Sequence, residues 1–170
     1  MSPPHELTAK ARVFPHLGVL AVGSWICVSC GYAPVRRTPG HSLRVAAVKN
    51  ATAQAEAGGL FAAELRSELA GRKRLAADSS SAPEMTAELI SLRAVPSSAG
   101  TEGVASFRLE AQLLVRIGDY QDLVADGENY LVGVDVLGTE ANRRAALRRL
   151  ARTLSREAIE RYDVSERMGQ

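Results

Sequence analysis

The stretch of sequence that decides the fold is SFRLEAQLLVRI, residues 106–117. Apolar side chains occupy every second position from Phe107 to Ile117, and the positions between them are polar except Leu114. A period of two predicts a β-strand that buries one face and leaves the other mostly polar, as in an antiparallel sheet. At a rise of ~3.3 Å per residue, this strand is about 40 Å long.

One further strand is predicted on each side of this stretch. Residues 84–95 alternate in polarity, and the alternation changes phase near Leu89, which indicates a β-bulge. Residues 96–103 are rich in proline, serine and glycine and are predicted to form the connecting loop. A turn at residues 118–119 leads to a last strand over residues 123–134.

Another strand and two helices complete the predicted fold. Residues 43–48 form the first strand, and residues 56–72 form a helix with an apolar stripe at every fourth position. The final helix covers residues 140–162, with Thr139 as its N-cap. The order β-α-β-β-β-α predicts an α+β two-layer sandwich, in which two helices pack on one face of a four-stranded mixed sheet.

The N-terminal segment has the features of a bacterial lipoprotein signal. Lys10 and Arg12 precede a mostly apolar run over residues 13–26, which is well short of the ~20 residues that a membrane-spanning helix needs. The small residue Ser29 suits a signal peptidase, so Cys30 is predicted to be the acylated first residue of the mature protein. A cleaved ordinary secretory signal and a cytosolic chain with an apolar N-terminal segment are the alternatives.

This assignment predicts the organisation of the chain. We expect a signal peptide over residues 1–29, a lipidated tether over 30–42, an α/β domain over 43–163 and a flexible tail over 164–170. Glycine rather than aspartate follows Cys30, which is typical of lipoproteins sorted to the outer membrane. More than one acyl chain is needed for stable anchoring, so a multiply acylated Cys30 would hold the domain at the membrane.

Composition and motifs argue against several classes of function. The charge is nearly balanced, at +2 for the whole chain, and does not call for a nucleic-acid partner. Of the three histidines, only His41 lies beyond Cys30, and no spacing of ligands suits zinc. No glycine-rich phosphate loop joins a strand to a helix. The sequence therefore predicts neither an enzyme nor a cofactor.

The most unusual charge pattern lies on the final helix. Arg144, Arg148, Arg152 and Arg156 recur every four residues and therefore form a ridge. One interpretation is an ordinary solvated helix face. The other is a surface that binds phosphates or the carboxylates of a partner.

Several segments together resemble a known family. They are Cys30-Gly31-Tyr32 with its short basic tether, the segment LRVAAVKNAT over residues 43–52, the long alternating strand, and ALRRLA over residues 146–151. This arrangement is similar to that of the LptE lipopolysaccharide-assembly lipoproteins. The resemblance implies a two-layer α/β domain that plugs the lumen of the LptD outer-membrane β-barrel. It also implies that the protein helps that barrel to assemble and assists lipopolysaccharide insertion into the outer leaflet.

The chain departs from this family at the expected ligand site. In enterobacterial members, basic residues between the second and third strands and after the fourth are linked to lipopolysaccharide binding. Residues 96–103 and 133–138 of this chain contain no lysine or arginine. Arg93 and Arg108, which flank the first of these segments, are the nearest substitutes. An alternative is a different periplasm-facing lipoprotein that activates a cell-wall synthase or serves a secretion pore.

Overall fold

The computed structural model describes residues 40–78, 80–100 and 103–169. Its elements are β1 (Arg44–Val45), β2 (Lys49–Asn50), α1 (Ala57–Gly71), β3 (Glu84–Gly100), β4 (Gly103–Ile117), β5 (Tyr120–Leu131) and α2 (Val136–Met168). The sheet has the order β1-β3-β4-β5, and β2 also pairs with β3. β1 and β2 run parallel to β3, whereas β3, β4 and β5 form antiparallel pairs. The predicted α+β fold with a mixed sheet is confirmed.

The strand predicted over residues 106–117 lies inside the sheet and buries the expected face. Its alternate side chains join those of both helices in one core. The largest fully buried side chains include Leu113 and Val115 of β4, Phe61, Leu65 and Leu69 of α1, and Leu147, Leu150 and Leu154 of α2. The apolar positions of the strand and of the two helices therefore meet in a single apolar layer. Burial of each such aliphatic or aromatic side chain contributes ~1.5–3 kcal/mol.

The predicted loop over residues 96–103 is mostly strand. β3 continues through Pro96 to Gly100, and β4 begins at Gly103. β1 and β2 pair with β3 only as far as Leu89, so Pro96 lies on an open edge where its missing N–H is tolerated. Pairing with β4 across this hairpin, which includes Pro96 with Phe107 and Ser98 with Ser106, therefore outweighs the intrinsic preference of proline and serine for loops.

Two expectations about strand irregularity have different outcomes. The bulge predicted near Leu89 is confirmed by a register shift between Leu89 and Ser91. The first strand, predicted over residues 43–48, is instead divided into β1 and β2. Both lie along the same edge of β3, so the sheet is four positions wide although it contains five strands.

The last strand and the final helix also begin earlier than predicted. β5 starts at Tyr120, directly after a turn in which Gly118 adopts a φ of +55°, a conformation that favours glycine. The N-cap of α2 is Asp135 rather than Thr139, because the Asp135 carboxylate accepts a hydrogen bond from the N–H of Gly138. Thr139 is helical, and its hydroxyl donates to the carbonyl of Asp135.

The final helix extends beyond its predicted end at Tyr162. α2 runs to Met168, so residues 164–168, which were expected to form a flexible tail, are helical. Ion pairs of Asp163 and Glu166 with Arg74 join these turns to the segment that follows α1. Such tertiary contacts, which helical periodicity alone does not reveal, favour continuation of the helix.

Candidate interaction surfaces

The described part of the chain lacks an obvious metal centre. Among residues 40–78, 80–100 and 103–169, no three His, Cys, Asp or Glu side chains are grouped so that they could bind a metal ion. In the same residues, no helix combines the length and apolar character needed to cross a bilayer. The distinctive features are instead a polar depression, a row of arginines, an apolar tip and a cluster of ion pairs.

Arg93 and Arg108 lie on the sheet face that points away from the helices. Both line a shallow depression of about 200 Å³. The Nη2 of Arg93 lies 2.9 Å from a carboxylate oxygen of Glu110, and Arg108 lies 3.7 Å from Asp126. Gly127 makes room for Arg108, because a Cβ there would lie 2.5 Å from its Nε. The structure thus brings the two arginines to one site, where each has a carboxylate neighbour.

Four exposed side chains of α2, here called the arginine row, are Arg144, Arg148, Arg152 and Arg156. The Nε of Arg144 lies 3.0 Å from a carboxylate of the same helix, and that of Arg152 lies 3.6 Å from one on α1. Within the described residues, neither Arg148 nor Arg156 has a carboxylate within 4.0 Å. The row therefore carries positive charge that the domain does not fully neutralise.

Sequence reasoning missed an apolar surface between β5 and α2. This apolar tip consists of Leu131, Val134, Val136 and Leu137. Their relative exposure ranges from 67% for Leu131 to complete exposure for Val134. The run LVGVDVL over residues 131–137 could have indicated this surface, because Asp135 suits a helix N-cap and the residues around it are nearly all apolar. Assignment of residues 123–134 to a strand obscured it.

Hydrogen bonds define the backbone of the apolar tip. The N–H of Gly133 donates to the Thr139 hydroxyl at 2.9 Å, and the N–H of Gly138 donates to Asp135 at 2.6 Å. A Cβ on Gly133 would lie 2.6 Å from the backbone of Gly138, so only glycine fits this close approach. The apolar side chains are thus displayed on a structured turn.

A cluster of ion pairs holds the beginning of the described domain. Arg74, which is only 4% exposed, donates to the carbonyl of His41 at 3.0 Å and to Glu166 at 3.0 Å, and it also pairs with Asp163. The Nδ1 of His41 lies 2.7 Å from Glu166. These four residues are called the entry cluster. They join the first described residues to the C-terminal turns of α2, at the end opposite the apolar tip.

The entry cluster sets the protonation of one carboxylate. Burial acts to raise the pKa of Glu166, but hydrogen bonds from His41 and the charge of Arg74 act more strongly in the opposite direction. The pKa of Glu166 is therefore lowered, which means that the folded protein favours the charged carboxylate over the protonated acid. Sequence reasoning placed His41 near the tether and did not anticipate this partner on α2.

The domain is similar to solved structures of other bacterial proteins. Rare lipoprotein B from Shewanella oneidensis is similar with a TM-score of 0.50 at 13% identity, over 72% of this chain and 96% of that one. A minor lipoprotein from Acinetobacter baumannii is similar with a TM-score of 0.45 at 10% identity, over 74% and 93% of the two chains. A search of the curated proteins finds no significant relative.

The fold is that of a small α+β domain similar to one seen in a bacterial lipoprotein structure. The model of the LptE lipopolysaccharide-assembly family matches residues 41–161, which is most of the chain. The protein therefore belongs to the LptE family, a non-catalytic family of assembly lipoproteins. Cys30 lies outside the described residues, so its acylation remains a prediction from the sequence.

Proposed function

We propose that this protein is an outer-membrane lipoprotein of lipopolysaccharide transport. Acylated Cys30 anchors it, and its domain faces the periplasm or occupies the lumen of an LptD-type β-barrel. There it acts as the plug and assembly partner of the barrel and assists lipopolysaccharide insertion into the outer leaflet. Membership of the LptE family supports the general role.

The apolar tip is the observation that carries the proposal. Exposure of four apolar side chains on an ordered turn is unfavourable in water, and exposed apolar patches mark interaction sites. α2 begins at Val136, so at ~1.5 Å per residue the tip lies about 40–45 Å along the helix from Asp163 and Glu166 of the entry cluster. We assign the tip to the acyl chains of lipopolysaccharide.

Replacement of apolar tip residues tests this assignment. We expect the double variant V134S/L137S to bind lipopolysaccharide at least about tenfold more weakly, because it removes apolar area worth ~25 cal/mol per Å² on burial. The matched control is V164S, which alters an exposed valine at the other end of α2. Binding of purified full-length protein in detergent provides the measurement. Equal affinity of the double variant and wild type for lipopolysaccharide would show that the apolar tip does not bind this ligand.

The partner is tested separately. The full-length acylated protein is purified in mild detergent, and accompanying proteins are identified by mass spectrometry. Recovery of a large LptD-type β-barrel supports the proposal. Recovery of a cell-wall synthase or a secretion pore without that barrel supports the alternative role instead.

Arg93 and Arg108 are proposed as secondary contacts for lipopolysaccharide phosphates. Each already has a carboxylate neighbour, so we expect the R93E/R108E variant to reduce affinity by only about threefold to tenfold, as partly compensated surface charges do. Titration of lipopolysaccharide at low and high salt measures the effect, since exposed charges are screened by salt. Unchanged binding of the variant at low salt would show that neither arginine contacts lipopolysaccharide.

A further inference from the structure

We propose that the arginine row is a docking surface for an acidic wall of a protein partner. The row presents guanidinium groups on successive turns of α2, with neighbouring Cβ atoms ~6 Å apart. A complementary wall presents carboxylates at a similar spacing. This inference rests on the proposed function, because it takes the β-barrel as the partner.

The first support is that the helices neutralise the row only in part, at Arg144 and Arg152. All described carboxylates of α1 and α2 pair with cations other than Arg148 and Arg156. The pairs are Glu64–Arg152, Glu68–Arg72, Glu140–Arg144, Glu157–Arg161, Glu160–Arg72, Asp163–Arg72 and Glu166–Arg74. The excess charge is therefore available to a partner.

The second support is the repulsion within the row. Like charges at positions i and i+4 destabilise a helix by ~0.2–0.5 kcal/mol per pair. Arg148 lies between Arg144 and Arg152, and Arg156 follows one turn later. External carboxylates would relieve this repulsion, and the planar guanidinium can bind each of them through two hydrogen bonds.

The surroundings of the row favour a protein rather than a lipid surface. Helices that lie on lipid surfaces combine a basic face with an opposite face of Trp, Phe or Leu that enters the bilayer. In the described structure, no exposed large apolar side chain lies on α1 or between residues 141 and 163 of α2. The exposed positions of α1 are instead small, such as Gly59, Ala63 and Ser67. The arginine row thus provides charge that a protein partner can recognise, but no neighbouring large apolar side chain that could insert into a lipid surface.

The test compares two double variants of the full-length lipoprotein in the same detergent pull-down. We expect R148E/R156E to retain about tenfold less barrel than wild type, because reversed charges repel an acidic wall. R148K/R156K keeps the charge and should retain most of the barrel. Wild-type retention should also fall as salt rises. Thermal unfolding of each variant checks that the domain is folded, and R148Q/R156Q replaces the reversal variant if it is not.

Each result has one meaning. Loss with glutamate and retention with lysine supports the docking surface. Barrel retention by R148E/R156E equal to that of wild type overturns it and leaves the proposed function standing. Reduced lipopolysaccharide binding with unchanged barrel retention assigns the row to lipid phosphates and also overturns it. Absence of the barrel from the wild-type sample overturns the proposed function and this inference together.

Discussion

At the scale of single residues, two glycines illustrate how packing decides the effect of the same substitution. A Cβ on Gly133 would lie 2.6 Å from backbone atoms of Gly138 and Thr139, which cannot move aside as a flexible side chain could. A Cβ on Gly59 meets nothing within 4 Å on the exposed side of α1. The sequence contains both glycines, but only the folded structure shows that one is a close contact and the other faces open space.

We therefore expect G133A and G59A to have opposite effects on stability. G133A should lower the free energy of unfolding by about 1–3 kcal/mol, the usual cost of forced overpacking. G59A should raise it by about 0.5–1 kcal/mol, because alanine favours the helix and restricts the unfolded chain. Urea unfolding measures both values. A neutral G133A variant would mean that the turn between β5 and α2 relaxes easily.

At the scale of elements, the sequence predicts strands and helices where one residue pattern repeats. β4 is the clearest case, since its alternating side chains from Leu109 to Ile117 are buried as expected. The ends of strands and helices are predicted less accurately. Pro96 is predicted to lie in a loop but is a strand residue, because it pairs with Phe107 across the β3–β4 hairpin. Local propensity cannot register that contribution.

The start of α2 provides a prediction at the same scale. D135A removes the side chain that accepts a hydrogen bond from Gly138 at 2.6 Å and should cost about 1 kcal/mol of stability. D135N should cost much less, because asparagine is also a good N-cap. Thermal unfolding of the two variants makes the comparison. Similar losses in both would show that the negative charge near the helix N-terminus matters more than the hydrogen bond.

At the scale of the whole domain, the entry cluster connects three distant parts of the chain. His41 begins the described residues, Arg74 follows α1, and Glu166 lies in the last turns of α2. Because the pKa of Glu166 is lowered on folding, its contribution to stability is present above the unfolded value and is lost as pH falls through the folded value.

We expect E166Q to alter the acid dependence of stability. At pH 7 the variant should be less stable than wild type by about 1.5 kcal/mol, because a charged hydrogen-bond acceptor is lost. The difference should diminish below about pH 4, where an ordinary glutamate becomes protonated. Urea unfolding at a series of pH values from 7 to about 3 tests this. A difference that does not change with pH would assign Glu166 a packing role only.

Hydrophobic periodicity and short motifs are local properties of the chain, so they were enough to predict the fold class, the buried face of the long strand and the family. The sequence also placed four arginines on one face of the last helix. The fold decided which charges are neutralised, since Arg72 and Arg74 both meet Asp163 across about 90 residues of sequence. It likewise decided that the residues from Leu131 to Leu137 remain outside the core. Burial and ion pairing depend on neighbours that the chain acquires only when it folds.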